Sequence, residues 1–398
     1  MIFDYYASVA ESISKKKREL CKGGFTSDSV DECLVWSCDD KEKNKARQCY
    51  IKQARKQEYS LPSDLHLEPK LDYLPDPTWF AIDISFTLKS PWYSKDDRPF
   101  HVLDNPVRKD RVFGVPFMSA ASWKGLLRWA CRMQAGLPGH LEKHGMKMDD
   151  WKDPAWIVHL FGNEKEEDEQ FRSGALICSP TWFEKVDFEV INPHSRARRA
   201  GTQPIYYEVV PAGSEGKLQL LYAPLPGDIE RDKVMPVDFM DDFIDSIRAL
   251  LETYGISAKR TAGWGTAKID SKKSKLRFVE GGPLDSLFYD ATASYEEPSE
   301  SFAKLLDENG HPIGILLGED KKPLSKTQFK KLSEEKRPCT NREFEEFKEW
   351  YAKYGEECHR RWMANTRNIS FPRIKECNFD SCIIGLERLR NVRQGGVQ

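Results

Sequence analysis

Between Trp79 and Leu88 every even position is apolar (Phe80, Ile82, Ile84, Phe86, Leu88), while Asp83, Ser85 and Thr87 fall between them. A period of two sends the two sets to opposite faces of a strand, so the segment reads as half-buried β-structure. After a long loop to Met118, Ser119 or Ser122 can cap a helix in which Trp123, Leu126, Leu127, Ala130 and Met133 recur at helical spacing. Residues 174–179 read as a second strand. The unit then repeats: 217–222 alternates as a strand, Phe239, Phe243, Ile247, Leu250, Leu251 and Tyr254 share one helical face, and 264–269 returns as a strand. Two strand–helix–strand units on one chain predict an α+β, ferredoxin-like fold of the split βαβ kind used by RNA-recognition domains.

A chain of 398 residues is long enough for more than this unit. Residues 1–77 are polar, bear cysteines and end in a stretch punctuated by Pro62, Pro69, Pro75 and Pro77, which suits an arm or linker. The core is expected over 78–282, with a hairpin inserted at about 183–213, where 186–210 is β-rich and Asn192-Pro193 marks a turn. From 283 to 398 the composition shifts to charged helix, with amphipathic candidates at 325–336 and 341–357. No run of eighteen apolar residues exists, and the first twenty carry Asp4, Glu11 and a Lys15 to Arg18 cluster, so the chain is expected in the cytoplasm with no membrane partner.

The 61 basic and 63 acidic residues nearly cancel, but they are segregated. Residues 89–132 hold nine basic against four acidic side chains, 190–207 has three arginines and no acid, and 256–269 has Lys259, Arg260 and Lys268 with no acid. Basic islands on an acidic body suit a polyanion ligand; chance clustering of solvated charge accounts for any one island equally well. The run Gly114-Val-Pro-Phe-Met-Ser-Ala-Ala-Ser-Trp-Lys-Gly-Leu-Leu-Arg128 takes a loop into a helix start. There, backbone amides can approach a phosphate, and Lys124 and Arg128, four apart, share a face. A capped helix with an exposed amphipathic face explains the same residues.

Four elements in order resemble the RAMP superfamily, and within it the backbone subunits of type III CRISPR effector complexes. They are the loop Leu103-Asp-Asn-Pro-Val-Arg-Lys-Asp110, the helix start Ser122-Trp-Lys-Gly-Leu-Leu-Arg128, the element Leu160-Phe-Gly162 and the Gly-rich loop Arg260-Thr-Ala-Gly-Trp-Gly-Thr266. Arg196-Ala-Arg-Arg-Ala-Gly-Thr-Gln203 and Tyr206-Tyr-Glu-Val-Val-Pro-Ala-Gly213 are similar to that family's thumb hairpin. The resemblance covers about 79–269; the arm and the helical tail have no counterpart in it. It implies a modified RNA-recognition fold that grips a CRISPR guide RNA, stacks with further backbone copies and other effector subunits, and inserts its thumb between guide and target RNA. It also implies that Asp104 matches the aspartate which nucleolytic members need to cut single-stranded target RNA with Mg²⁺ or another divalent cation. A carboxylate there can position or deprotonate a 2′-hydroxyl; the competing role for Asp104 is an Asx turn before Asn105-Pro106.

The expected phosphate contacts are Lys124, Arg128, Arg196, Arg198, Arg199, Lys259 and Arg260, with Tyr206 or Trp264 either stacking on a base or packing in the core. His101 and His194 are solvated histidines or minor members of the site. Cys21, Cys33, Cys38 and Cys49 crowd the arm and are candidate ligands of a structural Zn²⁺. Their spacings of eleven, four and ten intervening residues match no common finger, and unrelated reduced thiols explain them as well. Cys131 and Cys178 fall on apolar faces. Two alternatives to target cleavage stand beside it: a non-catalytic scaffold or capping subunit of the same kind of complex, and a guide-processing endoribonuclease, for which 256–269 offers Lys259 but no histidine.

Overall fold

The computed structural model describes residues 8–10, 13, 27–65, 67, 69, 71, 73–97, 101–163, 171–195, 200–201, 204–285, 298–307, 310–318, 323–334, 337–366, 374–379 and 383. Among them the chain divides into a larger unit, 1–288 with 373–398, and a smaller one, 289–372. In chain order the larger unit holds helices α1 (Ser27–Ser37) and α2 (Lys43–Ala54) and strands β1 (Phe80–Leu88) and β2 (Phe117–Met118). Helices α3 (Ala120–Gln134), α4 (Leu137–Lys143) and α5 (Ala155–Phe161) follow, then strands β3 (Leu176–Cys178) and β4 (Thr181–Trp182). A hairpin comes next, made of β5 (Asp187–Ile191), β6 (His194–Ser195), β7 (Ala200–Gly201) and β8 (Ile205–Val209). After it stand β9 (Glu215–Tyr222), α6 (Asp228–Asp232), α7 (Pro236–Ala249), β10 (Ala267–Ile269) and β11 (Lys275–Val279).

β1 pairs antiparallel with β9 on one side and β10 on the other, and β3 pairs with β9. Taking the four strands of the two strand–helix–strand units as first to fourth, their order is 4-1-3-2, the split βαβ arrangement expected from the repeat. β10 and β11 run along the same edge of β1 and are parted by a bulge at residues 270–274. There the Asp270 amide donates to Ser85 O (2.9 Å) and the Ser85 amide to Ser274 Oγ (3.0 Å). A last strand, β12 (Ile374–Asn378), pairs with β11. The extension expected to be mainly helical from 283 onward thus also carries a strand that returns to the sheet, where Arg277 and Lys275 meet Glu376 across the new pair.

The apolar face of β1 is buried beneath α3 and α7. Trp123 and Leu127 of α3 and Phe239, Phe243 and Ile247 of α7 are wholly enclosed, Phe80 stacks on Tyr222 at 4.6 Å, and the Trp123 indole donates to Thr181 Oγ1 (2.9 Å). Ser119 is the cap of α3, accepting from the Ser122 amide. On the other face, Asp83, Ser85, Lys217, Gln219 and Arg277 line a hollow of about 570 Å³ bordered by Leu61, Pro62, Leu67 and Leu71.

The amino-terminal segment contributes to the core through α2. Ala46, Tyr50 and Ala54 of α2 are fully buried in the same core as the sheet. The smaller unit has α8 (Glu300–Ala303), α9 (Lys326–Lys330) and α10 (Asn341–Thr366) and its own core, with Phe329 stacked on Phe344 at 4.0 Å beside Phe347 and Leu316. No helix of the described residues is long and apolar enough to cross a membrane.

Candidate nucleic-acid interface

The segment between β1 and β2 has little regular structure among its described residues, 89–97 and 101–116, so their backbone groups need partners elsewhere. They find them in the Gly-rich loop and the hairpin. Trp92 bridges Val210, its indole donates to Ile256 O (3.0 Å), and Ser257 Oγ both accepts from the Tyr93 amide and donates to Tyr93 O (3.0 Å each). The Gly-rich loop folds back on itself through the Ile256 amide to Gly265 O. A Cβ on Gly265, whose φ is +82°, would lie 2.4 Å from Ser257 N, so only glycine fits there. Trp264, expected on a strand, lies in this loop ahead of β10 because the close approach at Gly265 delays the strand until Ala267.

Cations and rings meet at this junction. Lys259 Nζ sits 4.4 Å from the centre of the Tyr207 ring, and Tyr207 meets Tyr93 and Trp264 edge-on at 5.1 and 5.9 Å. The Arg260 guanidinium lies 4.0 Å over the Trp129 indole, its Nη1 has no hydrogen-bond partner, and burial holds its pKa below the usual value. Lys259 is therefore held against the hairpin, and Arg260 against α3. The other predicted cations have other neighbours. Lys124 is half-buried, close enough to Cys178 to oppose the burial that pushes that thiol up to about 12. Arg128 and Arg132 both close on the buried carboxylate of Asp153 at 2.7 Å, so Arg128 is committed to a structural ion pair that its spacing from Lys124 does not disclose. Arg196, Arg198 and Arg199 lie outside the described residues, between β6 and β7 in sequence.

A second junction surrounds Asp104. Glu208, on β8 and fully buried, accepts from Tyr50 Oη (2.7 Å), Lys109 Nζ (2.5 Å) and the Val107 amide (3.1 Å), while its own amide donates to Asn105 O (3.0 Å). Burial alone would push the Glu208 carboxyl up. Lys109, the nearby His101 and the bonds from Lys109 and Tyr50 outweigh it and hold the group below the usual carboxylate range. Tyr50, buried beside that carboxylate, is pushed well above the ordinary phenol value. His101 Nδ1 accepts from the Leu103 amide, and its ring meets Tyr50 edge-on at 5.0 Å.

Asp104 itself is 79% exposed. Its Oδ2 accepts from Arg47 Nη2 at 3.1 Å. Arg47, Asp104, Asn105, Pro193, Pro204 and Tyr206 border a cavity of about 500 Å³ between this loop and the hairpin. Sequence reasoning missed Arg47, Tyr50, Lys109 and Glu208 as members of this site. The one available signal was the Tyr206-Tyr207-Glu208 run, whose acid sits where an inward-facing strand position would normally be apolar.

The remaining candidates are structural or isolated. In the Leu160-Phe161-Gly162 element, Gly162 (φ +80°) lets the backbone of 172–174 approach closely, and neighbouring His159 is buried between Asp232 Oδ2 and Tyr222 Oη, 2.8 Å from each. Of the arm cysteines, Cys33 is buried with its thiol pushed up to about 12 by burial and Glu32. Cys38 is exposed, Cys49 is disulfide-bonded, and Cys21 lies outside the described residues. Among the described residues no three His, Cys, Asp or Glu side chains gather as metal ligands. Cys131 is buried and packs as expected.

The sequence profile of the RAMP superfamily matches residues 85–268. Solved structures similar to the chain include a component of the type III-B Cmr-beta complex bound to cognate target RNA. It is 12% identical, with 68% of this chain and 88% of that chain covered and a TM-score of 0.38. A Csm3-Csm4 subcomplex of a type III-A interference complex is 18% identical over 50% of this chain and 78% of that one (TM-score 0.30). A CRISPR RNA-guided surveillance complex is 15% identical over 57% and 79% (TM-score 0.36). No curated protein matches the chain. The stretch 85–268, which carries most of the sheet, both helices packed on it, the hairpin and the Gly-rich loop, is a RAMP superfamily domain.

Proposed function

We propose that this chain is an RNA-binding subunit of a type III CRISPR effector complex, holding guide RNA and cutting guide-paired target RNA through Asp104. The observation that carries this reading is the convergence of three elements on the hairpin: the Gly-rich loop through Lys259 on the Tyr207 ring, the Asp104 loop, and β8 with Glu208. Cations pre-oriented on aromatic faces suit a phosphate backbone flanked by bases. In this reading the hairpin is a thumb, and Arg196, Arg198 and Arg199 meet RNA along with Lys124.

For cleavage, Asp104 takes the proton of a ribose 2′-hydroxyl, O2′ attacks the adjacent phosphorus in line, and the 5′-oxygen leaves and is protonated by water. The products are a 2′,3′-cyclic phosphate and a 5′-hydroxyl. One exposed carboxylate together with the RNA phosphate also fits a hydrated Mg²⁺, which would supply charge neutralisation at the phosphorus. Asp104→Ala in the assembled complex should abolish cleavage and leave guide RNA bound. A second reading, a scaffold or capping subunit that does not cut, is favoured by the pairing of Asp104 with Arg47, since a carboxylate in an ion pair can be purely structural. Intact target RNA after incubation of the complex with Mg²⁺ would select that reading.

A further inference from the structure

We propose that Arg47 is a positioning residue of the Asp104 site, supplied by a helix outside the RAMP-matched stretch; the inference rests on the cleavage reading above. Arg47 lies on α2, and residues 47, 50, 51, 54 and 55 follow helical spacing along one side of it. From that side Arg47 reaches the Asp104 loop, Tyr50 reaches Glu208, and Arg55, at the end of the helix, pairs with Asp187 at the foot of β5 (2.6 Å). One helix thus fastens the carboxylate loop and both strands at the base of the hairpin.

Arg47 does more in this arrangement than neutralise a charge. Its Nε donates to Val102 O (3.2 Å) while Nη2 donates to Asp104 Oδ2 (3.1 Å), so one rigid guanidinium plane bridges a backbone carbonyl and the carboxylate two residues on. The fork fixes the carboxylate relative to its own loop, a task for which a lysine, with its donors on one atom, is poorly shaped. The arginine side chain is 20% exposed and the aspartate 79%, so the anchor is recessed and the reactive group faces solvent. With Oδ2 held, Oδ1 has no partner among the described residues and is left to accept the 2′-hydroxyl proton. Cleavage needs that oxygen within hydrogen-bond reach of O2′, and small losses of alignment are costly.

The test compares wild type, Arg47→Ala, Arg47→Lys and Asp104→Ala, each purified as the assembled RNA-containing complex, with target RNA at saturation. Arg47→Ala should slow the single-turnover cut about 10- to 100-fold without changing target Kd. Free guanidinium ion should restore part of that rate, and Arg47→Lys should retain less activity than the wild type. A merely structural arginine would lower the yield of complex but would show neither guanidinium rescue nor a rate loss at full occupancy. If Arg47→Ala cuts at the wild-type rate while Asp104→Ala does not cut, the positioning role is wrong and the cleavage reading stands. If Kd rises and the saturated rate holds, Arg47 is a phosphate contact and the proposal also falls. If Asp104→Ala cuts normally or the wild type does not cut, both readings fall together. Should Arg47→Ala fail to assemble, Arg47→Lys, which keeps the charge and loses the fork, carries the comparison: an undiminished rate there refutes the proposal.

Discussion

Replacing Lys109 by methionine should invert the pH dependence of stability around Glu208. Lys109 Nζ lies 2.5 Å from Glu208 Oε1, and Glu208 is wholly enclosed, so the substitution strands a carboxylate among apolar neighbours with only Tyr50 and the Val107 amide to satisfy it. Breaking a buried pair in this way costs about 3–5 kcal/mol at neutral pH. In the wild type the folded pKa is depressed. The carboxylate's contribution is therefore complete above its unfolded value of about 4.3 and is lost as pH falls through the folded value. In Lys109→Met burial loses its chief opponent and the folded pKa rises above the unfolded one. The penalty is then present at high pH and relieved as pH falls. Urea unfolding followed by tryptophan fluorescence at pH 5 and pH 8 measures both slopes, with the buried Trp92 and Trp123 as reporters. The double variant Lys109→Met with Glu208→Gln should recover much of the loss at pH 8, because the stranded charge is gone. A single variant within about 1 kcal/mol of wild type at pH 8, or one whose stability falls in parallel with the wild type on acidification, would refute the reasoning.

Trp123→Ala removes a fully buried indole and its hydrogen bond to Thr181, and should cost about 3–5 kcal/mol in the same urea assay, a loss Phe should only partly avoid. Lys259→Ala and Arg260→Ala should each weaken RNA binding across sequences alike. Each should also lower the slope of log K against log salt by about 0.7, read by fluorescence anisotropy over a potassium chloride series; an unchanged slope would remove that residue from the phosphate contacts.

The order 4-1-3-2 was legible because each strand and helix of the repeated unit carries its own periodicity in large apolar residues: Phe80 to Leu88 in β1, Trp123 and Leu127 in α3, Phe239 to Ile247 in α7. Helix α2 was not, because the residues it buries are Ala46, Cys49, Tyr50, Ile51, Gln53 and Ala54, with Ile51 the one large aliphatic among them. Small and polar side chains that fill a tight contact leave no apolar stripe to read. β12 escaped notice for a related reason. As an edge strand it holds its place through backbone pairing and through Glu376 and Lys375, which read in sequence as the surface of a helix. At the candidate site, Asp104, Lys259 and Arg260 were singled out from short motifs. Their partners were not, since Arg47 and Glu208 lie 57 and 104 residues from Asp104 in sequence and only the fold brings them together.

A buried glutamate at 208 needs a reason, since an apolar side chain of similar volume would avoid the cost of desolvating a charge. The 89–116 loop supplies it. That loop bridges the rest of the fold at Trp92 with Val210, and folds on itself at Lys95 with Val107 and Lys109 with Pro116. Leucine at 208 would leave the Val107 amide and Lys109 Nζ without the oxygens they use, and each unsatisfied donor costs about 1–3 kcal/mol. The carboxylate is thus the one side chain type that closes the loop, the hairpin and α2 on a single point. A hydrophobic contact could hold these three elements together, but it would not fix their register, because apolar surfaces slide where directed bonds do not. Asp104 lies between Glu208's two attachment points and Arg47: the Asn105 carbonyl and the Val107 amide on one side, Val102 on the other. Its carboxylate is therefore held on a loop whose flanking peptide groups are pinned on both sides, the condition an exposed acid must meet before it can act on a bound strand at a defined position.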